Sequence, residues 1–169
     1  RFIDEKSNYQ IMRYDIEKDL NCLKFDSIEK IDYDAIVISD YNKGFLNDDL
    51  IIKLFSNFKN SKIFVDTKRK DISVFKDCIL KINEKELKEI NFQNLETRII
   101  KTMGQKGCAY LDKIYPVHKV DVHDVCGAGD VFLAALVVRW LETKDIGSAI
   151  KREDYRVALD IQTLVCYSL

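Results

Sequence analysis

Four short runs of apolar residues recur along the chain, each closed by polar residues: Ala35–Ile38, Lys62–Asp66, Cys78–Ile82 and Thr97–Lys101. Runs this short and continuous fit strands buried on both faces of a sheet better than they fit helices. Segments of helical spacing separate them. After Asn47, a good N-cap with Asp48 and Asp49 behind it, Leu50, Ile51, Leu54, Phe55 and Phe58 recur on one helical face. A short helical segment is expected around Ile72–Phe75, and Asn83 caps another from Glu84 to about Ile90. Strands alternating with helices predict an α/β fold with a mostly parallel sheet flanked by helices.

The remaining segments fit around that sheet. Residues 1–20 alternate weakly, with Tyr9, Ile11 and Met12 against Gln10 and Arg13, which predicts two short strands turning at Lys6-Ser7-Asn8 outside the main fold. Cys108–Leu111 and Ile114–Val117 predict a hairpin turning at Asp112-Lys113. A helix should then run from the apolar stretch Val131–Val138 to about Leu141. A weaker helix is expected over Asp145–Lys151, and a last one from Asp154 with Val157, Ile161, Leu164 and Val165 on one face. A length of 169 residues suits one domain. There is no internal repeat, and the single proline, Pro116, marks no boundary.

Composition narrows the function classes. With 47% hydrophobic and 33% charged residues the chain reads as globular. A net charge of −1 gives no case for nucleic acid, and the basic cluster Lys68-Arg69-Lys70 is followed at once by an acid. The longest apolar run is far short of the roughly 20 residues a membrane helix needs, so no membrane role is expected. Arg1–Glu5 shows no signal-peptide pattern. The five cysteines are odd in number and lack a Cys-x-x-Cys pair, which favours reduced thiols and a cytoplasmic location over disulfides or zinc.

The chemistry concentrates at Asp124-Val125-Cys126-Gly127-Ala128-Gly129-Asp130, directly before the helical run. Small residues there let backbone N–H groups point at an anion, and the positive end of the helix dipole adds to them. Asp130 places a carboxylate in the first turn, and a base beside an oxyanion cradle suggests phosphoryl transfer. In an open α/β sheet ligands bind beyond the carboxyl ends of the strands. Asp40–Gly44, Asp66–Lys68, Asn83–Glu86 and Thr102–Gly107 each follow a predicted strand, so four polar loops converge on one edge. Each motif also has a plainer explanation. Gly-Ala-Gly can be a tight turn, Asn83 and Glu86 a reciprocal helix cap, Gly104 and Gly107 turn residues, Lys43 and Lys68 solvated cations, and His118 and His123 structural. No Gly-x-Gly-x-x-Gly follows the first strand, which disfavours a dinucleotide-binding dehydrogenase.

Asp124–Asp130 resembles the Asp-x-Thr-Gly-Ala-Gly-Asp signature of the ribokinase-like (phosphofructokinase-B type) carbohydrate kinases. Asn83-x-x-Glu86 resembles that family's magnesium and phosphate motif, and Thr102-x-Gly104-x-x-Gly107 its nucleotide-contacting loop. Ser39-Asp40-Tyr41-x-Lys43-Gly44, Asp66-x-Lys68 and Gln10-x-x-Arg13-x-Asp15 look most like the members acting on heptose phosphate in surface-sugar biosynthesis. The resemblance implies ATP and Mg²⁺ as cofactors and a sugar or sugar-phosphate hydroxyl as acceptor. It makes Asp130 the general base, with the amides of Gly127, Ala128 and Gly129 on the transferring phosphoryl oxygens. Asn83 and Glu86 would hold Mg²⁺ through water. Thr102, Gly104, Gly107 and Asp124 would meet the nucleotide, with Lys43 and Lys68 as cations near the phosphates. Residues 1–20 would be part of a lid over the sugar, which in this family often makes homodimer contacts, and residues 21–169 the phosphate-handling part.

The chain departs from the family at two points. Cys126 stands where threonine is usual; a small buried filler is the favoured reading, and a thiol at a helix start as a site of oxidation is the alternative. The glycine-rich sugar-binding half that family members carry before this region has no counterpart here, and the interval from Glu86 to Thr102 is short. The expectation is therefore the C-terminal part of such a kinase, or a reduced homologue. An inactive nucleotide-binding or structural remnant is the alternative.

Overall fold

A computed structural model describes residues 2–4, 10–12, 14, 16, 20–90, 98–116 and 127–151. Its centre is a six-stranded sheet whose strands lie side by side in chain order: β3 (Ala35–Asp40), β4 (Lys62–Thr67), β5 (Ile79–Asn83), β6 (Ile99–Thr102), β7 (Cys108–Tyr110) and β8 (Lys113–Tyr115). The first four are parallel, and β7 and β8 fold back antiparallel. Ahead of them β1 (Phe2–Ile3) and β2 (Gln10–Met12) pair as a separate antiparallel ribbon. The helices are α1 (Asp48–Asn57), α2 (Glu84–Leu87), α3 (Ala128–Thr143) and α4 (Ile146–Ile150). Among the described residues no helix is long and apolar enough to cross a membrane.

The strand period of two sorts the core into two faces. Ile63, Val65, Leu80, Ile82 and Ile99 join Leu50, Ile51 and Leu54 of α1 on one side. Phe64, Ile79 and Ile100 meet Leu133, Leu136 and Val137 of α3 and Ile146, Ala149 and Ile150 of α4 on the other. Phe64 is fully buried and stands edge-on to Trp140 of α3, with ring centroids 5.5 Å apart. The two sides together enclose β4 and β5, which explains their continuous apolar runs.

Several expectations need correction. Ala35–Ile38 is not buried on both faces: β3 is an edge strand, and Val37 is 49% exposed. Ile72–Phe75 forms a single hydrogen-bonded turn, not a helix, because Ile72 and Phe75 are both drawn into the core. The helix after Asn83 stops at Leu87 instead of Ile90. The β7–β8 turn falls one residue early, at Leu111-Asp112, with Leu111 at φ +51°. Strand ends also shift: β3 runs on to Asp40, β4 to Thr67, β5 to Asn83 and β6 to Thr102. The cap of α1 is as expected, with Asn47 Oδ1 accepting the Leu50 amide at 2.8 Å. The turn at Lys6-Ser7-Asn8, the start of the fourth strand at Thr97, and the helix from Asp154 lie outside the described residues.

Candidate active site

The carboxyl ends of β3 to β6 fall on one edge of the sheet because all four run in the same direction. Register fixes which groups meet there. Asp40 lies opposite Thr67, Asp66 opposite Lys81, and Asn83 opposite Thr102. On the α1 side, Arg69 gathers the polar groups. Its Nε donates to Asp40 Oδ2 at 2.5 Å, and its other nitrogens donate to Asp48 and to the Leu46 carbonyl. That network ties the ends of β3 and β4 to the start of α1.

On the other side stands the start of α3. Gly127 is its N-cap, in a left-handed conformation (φ +79°, ψ −4°), and among the described residues no side chain caps it. A residue bearing a Cβ is strained at that φ. The first amides of the helix have no acceptor within the helix, and among the described residues nothing lies within 4 Å of the place where a Gly127 Cβ would be. Asp130 is exposed in the first turn. Asp124 and Cys126, with His118 and His123, lie outside the described residues.

Between α3 and α2 a chain of charged groups runs along the strand ends. Lys81, 4% exposed on β5, donates from Nζ to Asp66 Oδ2 at 2.5 Å. Asp66 Oδ1 is buried without a hydrogen-bond partner among the described residues. Lys68, just beyond β4, bonds and pairs with Glu86 Oε1. Burial works against its positive charge, but the bond to Glu86 and the charges of Asp66, Glu86 and Tyr41 outweigh burial and raise its pKa above the usual lysine value. Glu86 Oε2 accepts the Asn83 amide at 3.2 Å, and Asn83 Oδ1 accepts the amides of Lys85 (2.9 Å) and Glu86 (2.8 Å). The capping explanation of Asn83 and Glu86 is thus realised in full.

That bonding bears on magnesium. Both Glu86 oxygens already have partners, and among the described residues no group of three or more His, Cys, Asp or Glu side chains could hold a metal. Mg²⁺ keeps several waters and takes much of its coordination from phosphate. The donor set fits that outer-shell mode and not a protein cage.

Thr102 sits beside Asn83 at the end of β6, its hydroxyl 3.5 Å from the Ile82 carbonyl. Gly107 has a structural reason to be glycine, since its φ is +91° and an added Cβ would lie 2.0 Å from the Tyr115 carbonyl oxygen. Gly104 also has positive φ, but nothing lies within 4 Å of the place where its Cβ would be. Lys43 is on the exposed loop that follows β3. The structure therefore joins Lys68, Asn83, Glu86 and Thr102 at adjacent strand ends and puts α3's glycine start across Lys81 from Asp66. Reading the sequence alone missed Lys81 and Arg69. The available signal for Lys81 was a single cation inside a run otherwise fit for a buried strand, with an acid at the same place in the strand before it.

The sequence pattern of the pfkB family carbohydrate kinases matches residues 59–152, more than half of the chain, and the chain belongs to that family. Its curated relatives include the bifunctional protein HldE of Campylobacter curvus, 29% identical over 90% of this chain and 39% of that protein. The bifunctional protein HldE of Sulfurimonas denitrificans is 30% identical over 88% of this chain and 35% of its own length. The chain thus spans well under half the length of these relatives. In fold it resembles the crystal structure of a point mutant of phosphofructokinase-2 from Escherichia coli, with a TM-score of 0.51. That match has 18% identity and covers 68% of this chain and 46% of the other. The ribokinase-like α/β architecture expected from the motifs is the one observed.

Proposed function

We propose that this chain is the phosphate-handling part of an ATP-dependent carbohydrate kinase whose acceptor is a hydroxyl of a sugar or sugar phosphate, with heptose phosphate as the leading substrate class. The observation that carries the proposal is the glycine start of α3, uncapped among the described residues, with Asp130 in its first turn. Asp130 takes the proton from the acceptor hydroxyl, whose oxygen then bonds to the γ-phosphorus as the bond to the bridging oxygen of ADP breaks. The amides of Gly127, Ala128 and Gly129 hold the oxygens on which charge builds, as phosphoryl transfer requires. Mg²⁺, when bound, neutralises charge on the phosphate oxygens, and Asn83 and Glu86 hold its water shell.

Thr102, Gly104, Gly107 and Asp124 meet the nucleotide, while Lys43 and Lys68 supply positive charge along the same edge. The β1–β2 ribbon is part of a lid over the sugar and a surface for homodimer contact. The HldE names of the relatives and the Asp66-x-Lys68 motif support the heptose reading. In the protein that carries this chain, Asp130→Asn should abolish turnover, a loss of at least about 100-fold, with ATP affinity largely kept. Normal turnover with lost ATP affinity would contradict the base assignment. The alternative expected from the sequence is an inactive nucleotide-binding remnant. Mg·ATP binding without turnover in the intact wild-type protein would favour it, and no binding would remove both readings.

A further inference from the structure

Resting on the reading that the start of α3 receives phosphate, we propose that Lys81 is a further positioning residue of that site: held by Asp66 beneath Gly129, its ammonium sets the first turn of α3 and lends it buried positive charge. Parity and register bring it there. Phe64 and Ile79 lie on the face of the sheet that α3 covers, and Asp66 and Lys81 follow each of them by two residues. The two charged side chains therefore emerge on the same face, at the end of the strands nearest the helix start. Asp66 and Lys81 are opposite one another in parallel register, so their ion pair follows from the strand alignment.

Fold stability alone does not explain the pair. It stands two residues beyond buried Phe64 and Ile79 on the same face, a row that an apolar pair would extend, and taking two charges out of water is commonly no gain over well-packed hydrophobic residues. Nor is its hydrogen bonding closed. Asp66 Oδ1 is buried and unpartnered among the described residues, and Lys81 spends one of its three donors on Asp66 Oδ2.

Gly129 gives the independent observation. Gly44, Gly104, Gly107 and Gly127 all have positive φ, but Gly129 is helical, where glycine is less favourable than alanine. Its backbone gives no reason for glycine. Space does, because a Cβ at 129 would stand 2.6 Å from Lys81 Nζ and 3.5 Å from Lys81 Cε. The glycine lets a buried ammonium come up against the helix turn whose amides have no acceptor within the helix. Lys81 Nζ and not the Asp66 carboxylate lies within 4 Å of the place of that Cβ, so the positive end of the pair faces the turn and adds to the partial positive charge of the helix end.

The test compares anion and nucleoside binding by calorimetry on this chain. Probes are Mg·ATP, inorganic tripolyphosphate and adenosine, applied to wild type, Lys81→Met, Gly129→Ala, and the double variant Lys81→Met with Asp66→Asn, which leaves no unpaired buried charge. The expected result is a loss of about tenfold or more in affinity for Mg·ATP and tripolyphosphate in each folded variant, with adenosine affinity changed less than twofold. A purely structural role would lower all three together. Equal losses for adenosine and ATP, or tripolyphosphate affinity within twofold of wild type in the double variant, would overturn the proposal. Wild type that binds tripolyphosphate but not Mg·ATP would remove the nucleotide reading and leave the Lys81 comparison to decide on tripolyphosphate. Wild type that binds neither would remove both.

Discussion

The buried thiols show how strictly the interior constrains single side chains. Burial pushes Cys78 from an ordinary 9.0 up to about 12 and Cys108 up to about 11. Both folded values are raised, so their contribution to stability is complete below about pH 9 and is lost as pH rises through the folded values. The urea midpoint should therefore fall between pH 9 and 11, and fall less steeply in Cys78→Ala; an equal slope in the two proteins would refute this. Legibility at this scale was uneven. Asn83 and Glu86 could be found because their spacing of three is itself a capping signal. Lys81 and Arg69 could not, because each is defined by a partner 15 or 29 residues earlier that only strand register brings near.

Elements were legible where their own residues decide them. Asn47 caps α1, Asn83 caps α2 and Asp145 caps α4, each with a side-chain oxygen on a helix amide. They were less legible where packing overrides local preference. The helical spacing at Ile72–Phe75 is spent on a core turn, and α2 ends after four residues. The loop from β6 to β7 shows the opposite, a backbone demand written in one residue. Gly107→Ala adds a strained φ and a clash with the Tyr115 carbonyl, and should cost roughly 2 kcal/mol or more in chemical denaturation. Gly104→Ala, with open space around it, should cost less. Equal costs at the two positions would mean that the close approach to β8 does not matter.

For the molecule as a whole, alternation of strand and helix was enough to state an α/β fold with a mostly parallel sheet and the edge on which polar loops gather. The division of the core between α1 on one side and α3 with α4 on the other was not stated, because it depends on which parity of each strand faces which helix. That division ties the position of the α3 start to packing, since α3 reaches the sheet through Phe64 and Trp140. Phe64→Ala should cost about 3–5 kcal/mol and weaken tripolyphosphate binding as α3 loosens. Full binding in a variant destabilised by that amount would show that the helix start is held by its own turn and by Lys81.

The open side of β3 has a practical meaning for anyone handling the chain in solution. Among the described residues no strand pairs with it, and alternate residues of this six-residue strand turn their backbone donors and acceptors to that side, beside a half-exposed Val37. Left uncovered, such a margin is a template on which a second molecule can lay its own strand, which makes sticking together a hazard of concentration.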